Sequence, residues 1–200
     1  MSQDSPPPNP PPTKAEIDAC RRCELGEKAT QGVVGEGPPT APLMLVGEQP
    51  GHEEDLRGRP FVGPAGQLLR AVLVEAGIPE SRVYLTNAVK HFRFELRGKR
   101  RLHKTPLQRH IAACHDWLER EIASRQPKVI VTLGATALRA VLGRATSISA
   151  ARRCELVRQG GTRVVATYHP SAILRAPDPE VAAGLRAALV ADLKTAAEIG

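Results

Sequence analysis

Four short apolar runs, rich in branched residues, recur along the chain and predict buried β-strands. They cover residues 42–48 (PLMLVGE), 83–89 (VYLTNAV), 128–134 (KVIVTLG) and 163–169 (RVVATYH). Segments with apolar residues three to four positions apart alternate with these runs and predict helices. The main ones cover 65–77, 105–125, 135–143 and 179–198. Thr105 as N-cap and Pro106 at the first helical position mark the predicted start of the second helix.

Strands that alternate with helices predict a parallel sheet covered by helices on both faces. The expected architecture is an α/β fold, a three-layer α/β/α sandwich around a central four-stranded parallel sheet. Functional loops of such a sheet lie at the carboxyl ends of the strands. In this chain those ends read GEQPG, TNAVKH, LGAT and YHPS.

The first residues do not continue this pattern. Residues 1–13 are rich in proline, so we expect a disordered tail followed by a single domain over residues 14–200. No apolar run reaches the roughly 18 residues of a membrane span. The N-terminus also lacks the apolar core of a signal peptide. We therefore expect a cytoplasmic protein, whose four cysteines are reduced or metal-bound.

Positive charge is concentrated in one segment of the chain. The net charge is +7, and Lys90–His110 holds eight Lys or Arg residues against one acid, Glu95. Such a patch favours a polyanionic partner, and nucleic acid is the first candidate. Within this segment the stretch GKRRLHKTP places His103 among cations. It is either a solvated basic loop or a loop that brings an imidazole nucleophile to a phosphate backbone.

The cysteines suggest a metal centre without fixing its kind. Cys20 and Cys23 form a C-x-x-C pair ahead of the first strand, outside the strand-to-helix context of a thioredoxin-like redox pair. Cys114, Cys154 and His91 are the possible partners. Four thiolates, or three with one imidazole, would suit tetrahedral zinc or an iron–sulfur cluster. Cys114 could instead be a small buried apolar residue.

The loops after the strands carry the candidate site residues. Glu48 and Gln49 follow the first strand in a loop that has neither a Walker nor a Rossmann glycine pattern, so no nucleotide cofactor is expected. Phe61 either stacks on a base or fills the core beneath the loop. Asn87 either reads a nucleobase edge or caps a turn. His169 either donates to a developing anion or is a structural histidine.

The motifs GEQPG, GRPFVGPAGQLL, TNAVK, VIVTLGATA and HPSAIL together resemble the family 4 uracil-DNA glycosylases, the iron–sulfur branch of the uracil-DNA glycosylase superfamily. The resemblance runs from Cys20 to about Arg175. Two features are similar to the UdgX-type subgroup, whose members become covalently joined to their DNA. These are Gln49, where the family usually has a small residue, and the inserted loop RGKRRLH.

The resemblance implies a uracil-DNA glycosylase-like fold and a role for each motif residue. The uracil pocket would be lined by Gly47, Glu48, Gln49, Phe61, Asn87 and His169. Phosphates would be bound by Lys99, Arg100, Arg101, Lys104 and Ser171. A 4Fe–4S cluster would be held by Cys20, Cys23, His91 and Cys114. Cys154 falls where the family has no ligand, and is either a spare thiol or the fourth ligand in place of His91.

Cleavage of the C1′–N1 glycosidic bond leaves an oxocarbenium-like sugar and a uracil anion. The reaction needs donors at the uracil oxygen, expected from His169, and negative charge near the sugar, expected from Glu48. The base must first leave the stack, which is easier in single-stranded DNA, the expected substrate. His103 is the expected nucleophile that captures C1′, and Glu48 would accept its proton.

Two alternatives stand beside covalent capture. One is a conventional family 4-like glycosylase that releases a free abasic site, with His103 binding phosphate. The other is a catalytically idle DNA-binding module held together by zinc. We expect a monomer, because one chain holds the whole site.

Overall fold

The computed structural model describes residues 10–200, so most of the predicted disordered tail lies outside the described residues. The strands are β1 (Leu43–Gly47), β2 (Val83–Asn87), β3 (Phe94–Arg97), β4 (Arg100–His103), β5 (Val129–Leu133), β6 (Leu156–Val157) and β7 (Arg163–Thr167). The helices are α1 (Lys14–Asp18), α2 (Leu25–Lys28), α3 (His52–Arg57), α4 (Pro64–Glu75), α5 (Gln108–Arg125), α6 (Ala135–Leu142), α7 (Ile148–Ala151), α8 (Pro170–Leu174) and α9 (Pro179–Ile199), with a 3₁₀ turn at Glu80–Arg82.

The central sheet has the order β2-β1-β5-β7-β6. Its first four strands are parallel and are the four predicted from the apolar runs. The predicted α/β sandwich is therefore confirmed, but the sheet has five strands rather than four. The fifth, β6, is antiparallel to β7 and only two residues long, too short to give a recognisable apolar run.

Helices cover both faces of this sheet, because alternate strand residues point to opposite sides. Met44 and Val46 of β1 pack in a core with α5 and α6. Leu43 and Leu45, their neighbours along the strand, pack in a second core with α4 and α9. Because an apolar core packs against each face of the sheet, the loops at its carboxyl edge are attached to a rigid support. No helix among residues 10–200 is long and apolar enough to cross a membrane.

The predicted start of the second helix, over 105–125, was wrong. Helix α5 begins at Gln108 rather than at Pro106, and Leu107 is its N-cap. The Leu107 backbone N–H donates to His110 Nδ1 (3.0 Å), a capping contact that the local sequence pattern did not indicate. Thr105 instead accepts a hydrogen bond from Arg93, which holds it beside the preceding strands.

The basic segment folds as a separate two-stranded antiparallel hairpin. Strands β3 and β4 pair with Phe94 opposite His103 and Arg97 opposite Arg100. Gly98 in the turn has φ +60°, the positive value that tight hairpin turns require. Because the chain turns back on itself, His103 returns to the carboxyl edge of the central sheet while the charged turn points into solvent.

Candidate active site

A cavity of about 710 Å³ opens at the carboxyl edge of the parallel strands. It is lined by residues from the ends of β1, β2 and β5, from the loop before α4, from β4 and from the start of α8. The predicted site residues on its wall are Glu48, Gln49, Phe61, Asn87, His103, His169 and Ser171. The fold thus collects one side chain or more from each predicted strand end.

Gly47 makes room for the two side chains that meet in the floor of the cavity. A Cβ at this position would lie 2.4 Å from Asn87 Oδ1 and 2.6 Å from Phe61 Cζ, closer than real atoms approach. The last residue of β1 therefore has to be glycine for the Asn87 amide and the Phe61 ring to be adjacent. This places an amide edge beside an aromatic face.

Phe61 adopts a backbone conformation that favours glycine. Its φ is +53°, and such strain in a non-glycine residue is concentrated at functional sites. Gly66 of α4 allows it, because a Cβ there would lie 1.9 Å from the Phe61 carbonyl oxygen. The Phe61 ring is buried and stacks at 6.4 Å, centroid to centroid, from the His169 ring.

His169 is held as a neutral imidazole with one nitrogen free to donate into the cavity. It is the N-cap of α8, and its Nδ1 accepts from the Ser171 backbone N–H (3.1 Å) with Ser171 Oγ 2.7 Å away. The neutral ring therefore carries its proton on Nε2. Burial lowers the pKa of His169 to about 4, against the opposing charge of Glu48. At neutral pH the side chain is an uncharged Nε2–H donor.

Glu48 is held as a carboxylate between two donors. Its Oε2 accepts from Thr136 Oγ1 of α6 (2.5 Å), and its Oε1 lies 3.3 Å from His103 Nε2. Burial acts to raise the pKa of Glu48, but the hydrogen bonds from His103 and Thr136 outweigh it and lower the pKa below its usual range. Glu48 and His169 therefore face one cavity in different states, one charged and one neutral.

His103 reaches this cavity from the end of the hairpin, with its side chain 49% exposed. Gln49 fixes the hairpin base with its Nε2, which donates to the carbonyls of Arg93 (3.2 Å) and Lys104 (3.1 Å). Gln49 Oε1 accepts from the Arg93 backbone N–H (3.0 Å). Gln49 lines the cavity as predicted, but its side chain is used to hold both ends of the hairpin.

Arg101 is the hairpin's second anchor. Its guanidinium pairs with Asp55 Oδ2 (2.6 Å) and reaches His52 Nδ1 (2.8 Å) on α3. The same group lies over the rings of Phe92 and Phe94, and the side chain is only 15% exposed. Arg101 therefore faces the protein, and its predicted contact with phosphate stays a prediction.

The other predicted phosphate contacts lie in different settings. Lys99 and Arg100 are exposed at the turn of the hairpin. Lys104 pairs with Glu95 across the hairpin at 2.8 Å. Ser171 contacts His169 and also lines the cavity. The two turn residues are thus the most accessible cations of the predicted set.

Three cysteines lie near one another at the core between the sheet and α5. Cys20 and Cys23 pack against the core that contains Cys114 of α5. Burial raises the pKa of the Cys114 thiol to about 11, and nearby Cys23 and Cys20 add to this effect. Cys154 is exposed just beyond α7, where its sulfur contacts the Ala150 carbonyl, and it is not part of this core.

His91 supplies an unused nitrogen on the same side of the molecule. It follows Lys90, and a Cβ on Gly32, in the segment before β1, would lie 3.2 Å from its Nε2. Its Nε2 is buried without a hydrogen-bond partner among residues 10–200. Within that range no three acidic, His or Cys side chains converge closely enough to hold a single metal ion. A cluster with iron at several corners binds ligands that stand further apart, and three thiols with one orphaned imidazole fit it.

Comparison with known proteins agrees with the geometry of the cavity. Residues 34–194 match the uracil DNA glycosylase superfamily. The chain belongs to this superfamily. It is 41% identical over 160 residues to the type-4 uracil-DNA glycosylase of Thermotoga maritima, covering 80% of each protein. It is 36% identical over 194 residues to the type-4 uracil-DNA glycosylase of Sulfurisphaera tokodaii, covering 93% of this chain and 82% of that protein.

Some features of this superfamily member were not found by sequence reasoning. Thr136 lies in the quoted motif VIVTLGATA, but nothing in the motif indicated that it would hold Glu48. Asp55 was one acid in an acidic loop, and only the fold shows that it is the partner of Arg101. The buried pairing of Lys90 with Glu121 beside the cavity gave no signal, because the two residues are far apart in the chain.

Proposed function

We propose that this protein is a uracil-DNA glycosylase that removes uracil from DNA. The observation that carries the proposal is the single cavity in which Asn87, Phe61, Glu48 and His169 converge. These groups are an amide, an aromatic face, a carboxylate and a neutral donor. The names of the type-4 relatives, which cover most of the chain, support the same activity.

The proposed substrate complex contains a uracil that has left the base stack. The base enters the cavity, stacks on Phe61 and presents its polar edge to the Asn87 amide, which can both donate and accept. Gly47 prevents a clash in this corner. A base with a 5-methyl group would need extra space against the strained Phe61 loop.

The proposed bond cleavage uses the Glu48 carboxylate and the neutral His169 donor. The bonding electrons of C1′–N1 leave with uracil, and the His169 Nε2–H donates to a uracil oxygen as negative charge develops there. Glu48 stabilises the positive charge that develops on the sugar. In the conventional reaction, which the type-4 relatives favour, water then adds to C1′ and a free abasic site is released.

Covalent capture of C1′ by His103 is the second candidate fate of the sugar. The His103 Nε2 lies 3.3 Å from the same Glu48 carboxylate, so it lines the region where C1′ would sit. For this attack His103 must stop donating to Glu48 and carry its proton on Nδ1, so that the free Nε2 lone pair forms a bond to C1′ after uracil departs. The alkylated ring is then a cation, and it becomes neutral by losing the Nδ1 proton to water rather than to Glu48, the acceptor expected from the sequence, because Glu48 lies beside Nε2. This is the UdgX-type hypothesis, in which the inserted loop supplies the group that captures the DNA.

We also propose that Cys20, Cys23, His91 and Cys114 hold a 4Fe–4S cluster. Bound there, the cluster would serve as a cross-link between the segment before β1 and helix α5, held by thiolate and imidazole bonds. Cys154 is exposed and apart from this group, which favours the spare-thiol alternative for it. The preference for single strands, the monomeric state and the cytoplasmic location remain predictions.

The test uses a single-stranded oligonucleotide with one uracil, and the same oligonucleotide with thymine as control. After reaction the mixture is boiled in detergent and run on a denaturing gel, beside the variants Glu48→Gln and His103→Ala. Alkali-labile abasic product without a shifted band means conventional release. A heat-stable shifted band that His103→Ala removes means covalent capture. Neither product from the wild-type protein would overturn the proposed function and favour an idle binding module.

A further inference from the structure

A buried ion pair lies directly behind the cavity and has no part in the proposed chemistry. Lys90 Nζ is 2.7 Å from Glu121 Oε2, and the two side chains are 0% and 1% exposed. A buried pair of this kind is often no more stabilising than apolar side chains of the same volume. Its location therefore points to a role beyond stability.

The ammonium group of Lys90 holds the turn that follows β2. It donates to the Asn87 backbone carbonyl (2.8 Å), to Thr86 Oγ1 (2.7 Å) and to Glu121, so all three of its protons are used. Asn87 is the residue proposed to read uracil. The position of its backbone is therefore set in part by a cation that never meets the substrate.

Glu121 completes the network from helix α5. Its Oε2 also accepts from Thr86 Oγ1 (2.6 Å), and its Oε1 accepts from the Gly35 backbone N–H (3.0 Å). The same turn contacts the end of β1, where the Val89 N–H donates to the Glu48 carbonyl (3.0 Å). Movement of the Lys90–Glu121 pair would therefore displace both the Asn87 amide and the Glu48 carboxylate.

Lys90 is also joined to the cysteine site through the chain, because the next residue is His91, a proposed cluster ligand. Cys114 and Glu121 are seven residues apart on α5, which is two helical turns, so both face the same side. Lys90 thus holds the turn at Asn87 with its side chain and pairs with the helix that carries Cys114.

We propose that Lys90 is a positioning residue that couples Asn87 to helix α5, which also carries Cys114, through its buried pair with Glu121. This inference rests on the proposed function, and it adds to that function a positioning residue that lies outside the cavity. Displacement of α5 or of the cysteine site would move Asn87 relative to Phe61 and Glu48.

The first test changes the hydroxyl that bridges the pair. Thr86→Val keeps the side-chain volume but removes the donor to Glu121 and the acceptor of Lys90, whereas Thr86→Ser keeps both. We expect Thr86→Val to lower kcat for uracil release by about ten-fold or more, since misplacement by about 1 Å can lower rates about 100-fold. KM for single-stranded DNA and visible absorbance of the holoenzyme should stay unchanged, and Thr86→Ser should restore kcat.

The second test removes both charges with Lys90→Met/Glu121→Leu. The control is Arg158→Met/Glu119→Leu, which removes another ion pair of α5 (2.6 Å) away from the cavity. We expect only the first variant to lose uracil release, and its crystal structure to show Asn87 displaced. Wild-type rates, or an unmoved Asn87, in a folded variant would overturn the proposal.

The outcomes separate this inference from the proposed function. If the wild-type protein releases no uracil, the proposed function fails, and the position of Asn87 in the variant crystal structures alone decides the role of Lys90. If Lys90→Met/Glu121→Leu does not fold, the comparison of Thr86→Val with Thr86→Ser decides it. Equal kcat in those two variants would then overturn the inference.

Discussion

At the scale of single residues, the missing Cβ of Gly47 decides whether the cavity can accept a base. In Gly47→Ala the new methyl group would lie 2.4 Å from Asn87 Oδ1 and 2.6 Å from Phe61 Cζ. One of these side chains must move, so we expect kcat/KM for uracil release to fall about 100-fold. Single-turnover kinetics on a uracil oligonucleotide measure this.

Gly184 of α9 provides the control, because a Cβ there meets nothing within 4 Å. Gly184→Ala should leave the release rate unchanged and raise the free energy of unfolding by up to about 1 kcal/mol, since alanine is the better helix former. Gly47→Ala with the wild-type rate would mean that Asn87 and Phe61 do not define the base site.

At the scale of elements, the hairpin β3–β4 is the part of the fold that presents His103. Gln49 holds its two ends by three hydrogen bonds to backbone groups. Gln49→Ala removes all three, so we expect the hairpin to become looser at its base. Any covalent capture by His103 should then slow by about ten-fold or more, whereas release of uracil, which depends on His169 and Glu48, should change less.

Quenched-flow measurement of both products from one reaction checks the Gln49 prediction. Gln31→Ala serves as control, because this glutamine also donates to two backbone carbonyls, but those of Asp55 and Leu56 on α3 rather than of the hairpin. Equal slowing of capture and release by Gln49→Ala would contradict a specific role in presenting His103. If the wild-type protein forms no adduct, the role of Gln49 is tested by the mobility of the hairpin in hydrogen exchange.

The same elements show how far sequence reasoning reaches. The four parallel strands were found because each reads as an apolar run: three are buried at every position, and β7 is buried at three of its five positions. Those strand ends then placed Glu48, Asn87 and His169 at one edge. The hairpin was not predicted, because its strands are mostly charged and solvent-exposed. The inward direction of Arg101 depends on Asp55, 46 positions away, and no local pattern encodes such a pairing.

At the scale of the whole molecule, His169 makes stability depend on pH. Its pKa is about 4 when folded and 6.5 ordinarily, so between these values the unfolded chain binds the proton that the folded protein excludes. Stability from this group is therefore complete above pH 6.5 and is lost as the pH falls towards 4. The expected loss is about 3 kcal/mol from pH 7 to pH 4.

Urea denaturation of the wild-type protein and His169→Gln across this pH range measures that contribution. The variant should lose less stability on acidification, and the difference between the two curves isolates His169 from the carboxyl groups that also titrate. His115→Gln, at an exposed position of α5, controls for the removal of a histidine. Parallel curves for the wild-type protein and His169→Gln would contradict a buried neutral imidazole.

The distribution of charge over the molecule predicts how DNA binding responds to salt. Lys99 and Arg100 lie exposed at the hairpin turn, so each is expected to neutralise one phosphate of a bound single strand. Replacing both with alanine should make the slope of log K against log salt shallower by about 1.4, or about 0.7 per contact.

Lys194→Ala, on the last turns of α9 near the opposite edge of the sheet, should leave the slope unchanged. Fluorescence anisotropy with an undamaged strand avoids any contribution from excision. An unchanged slope in the Lys99/Arg100 variant would mean that the strand follows a different surface and that the hairpin turn does not contact phosphate.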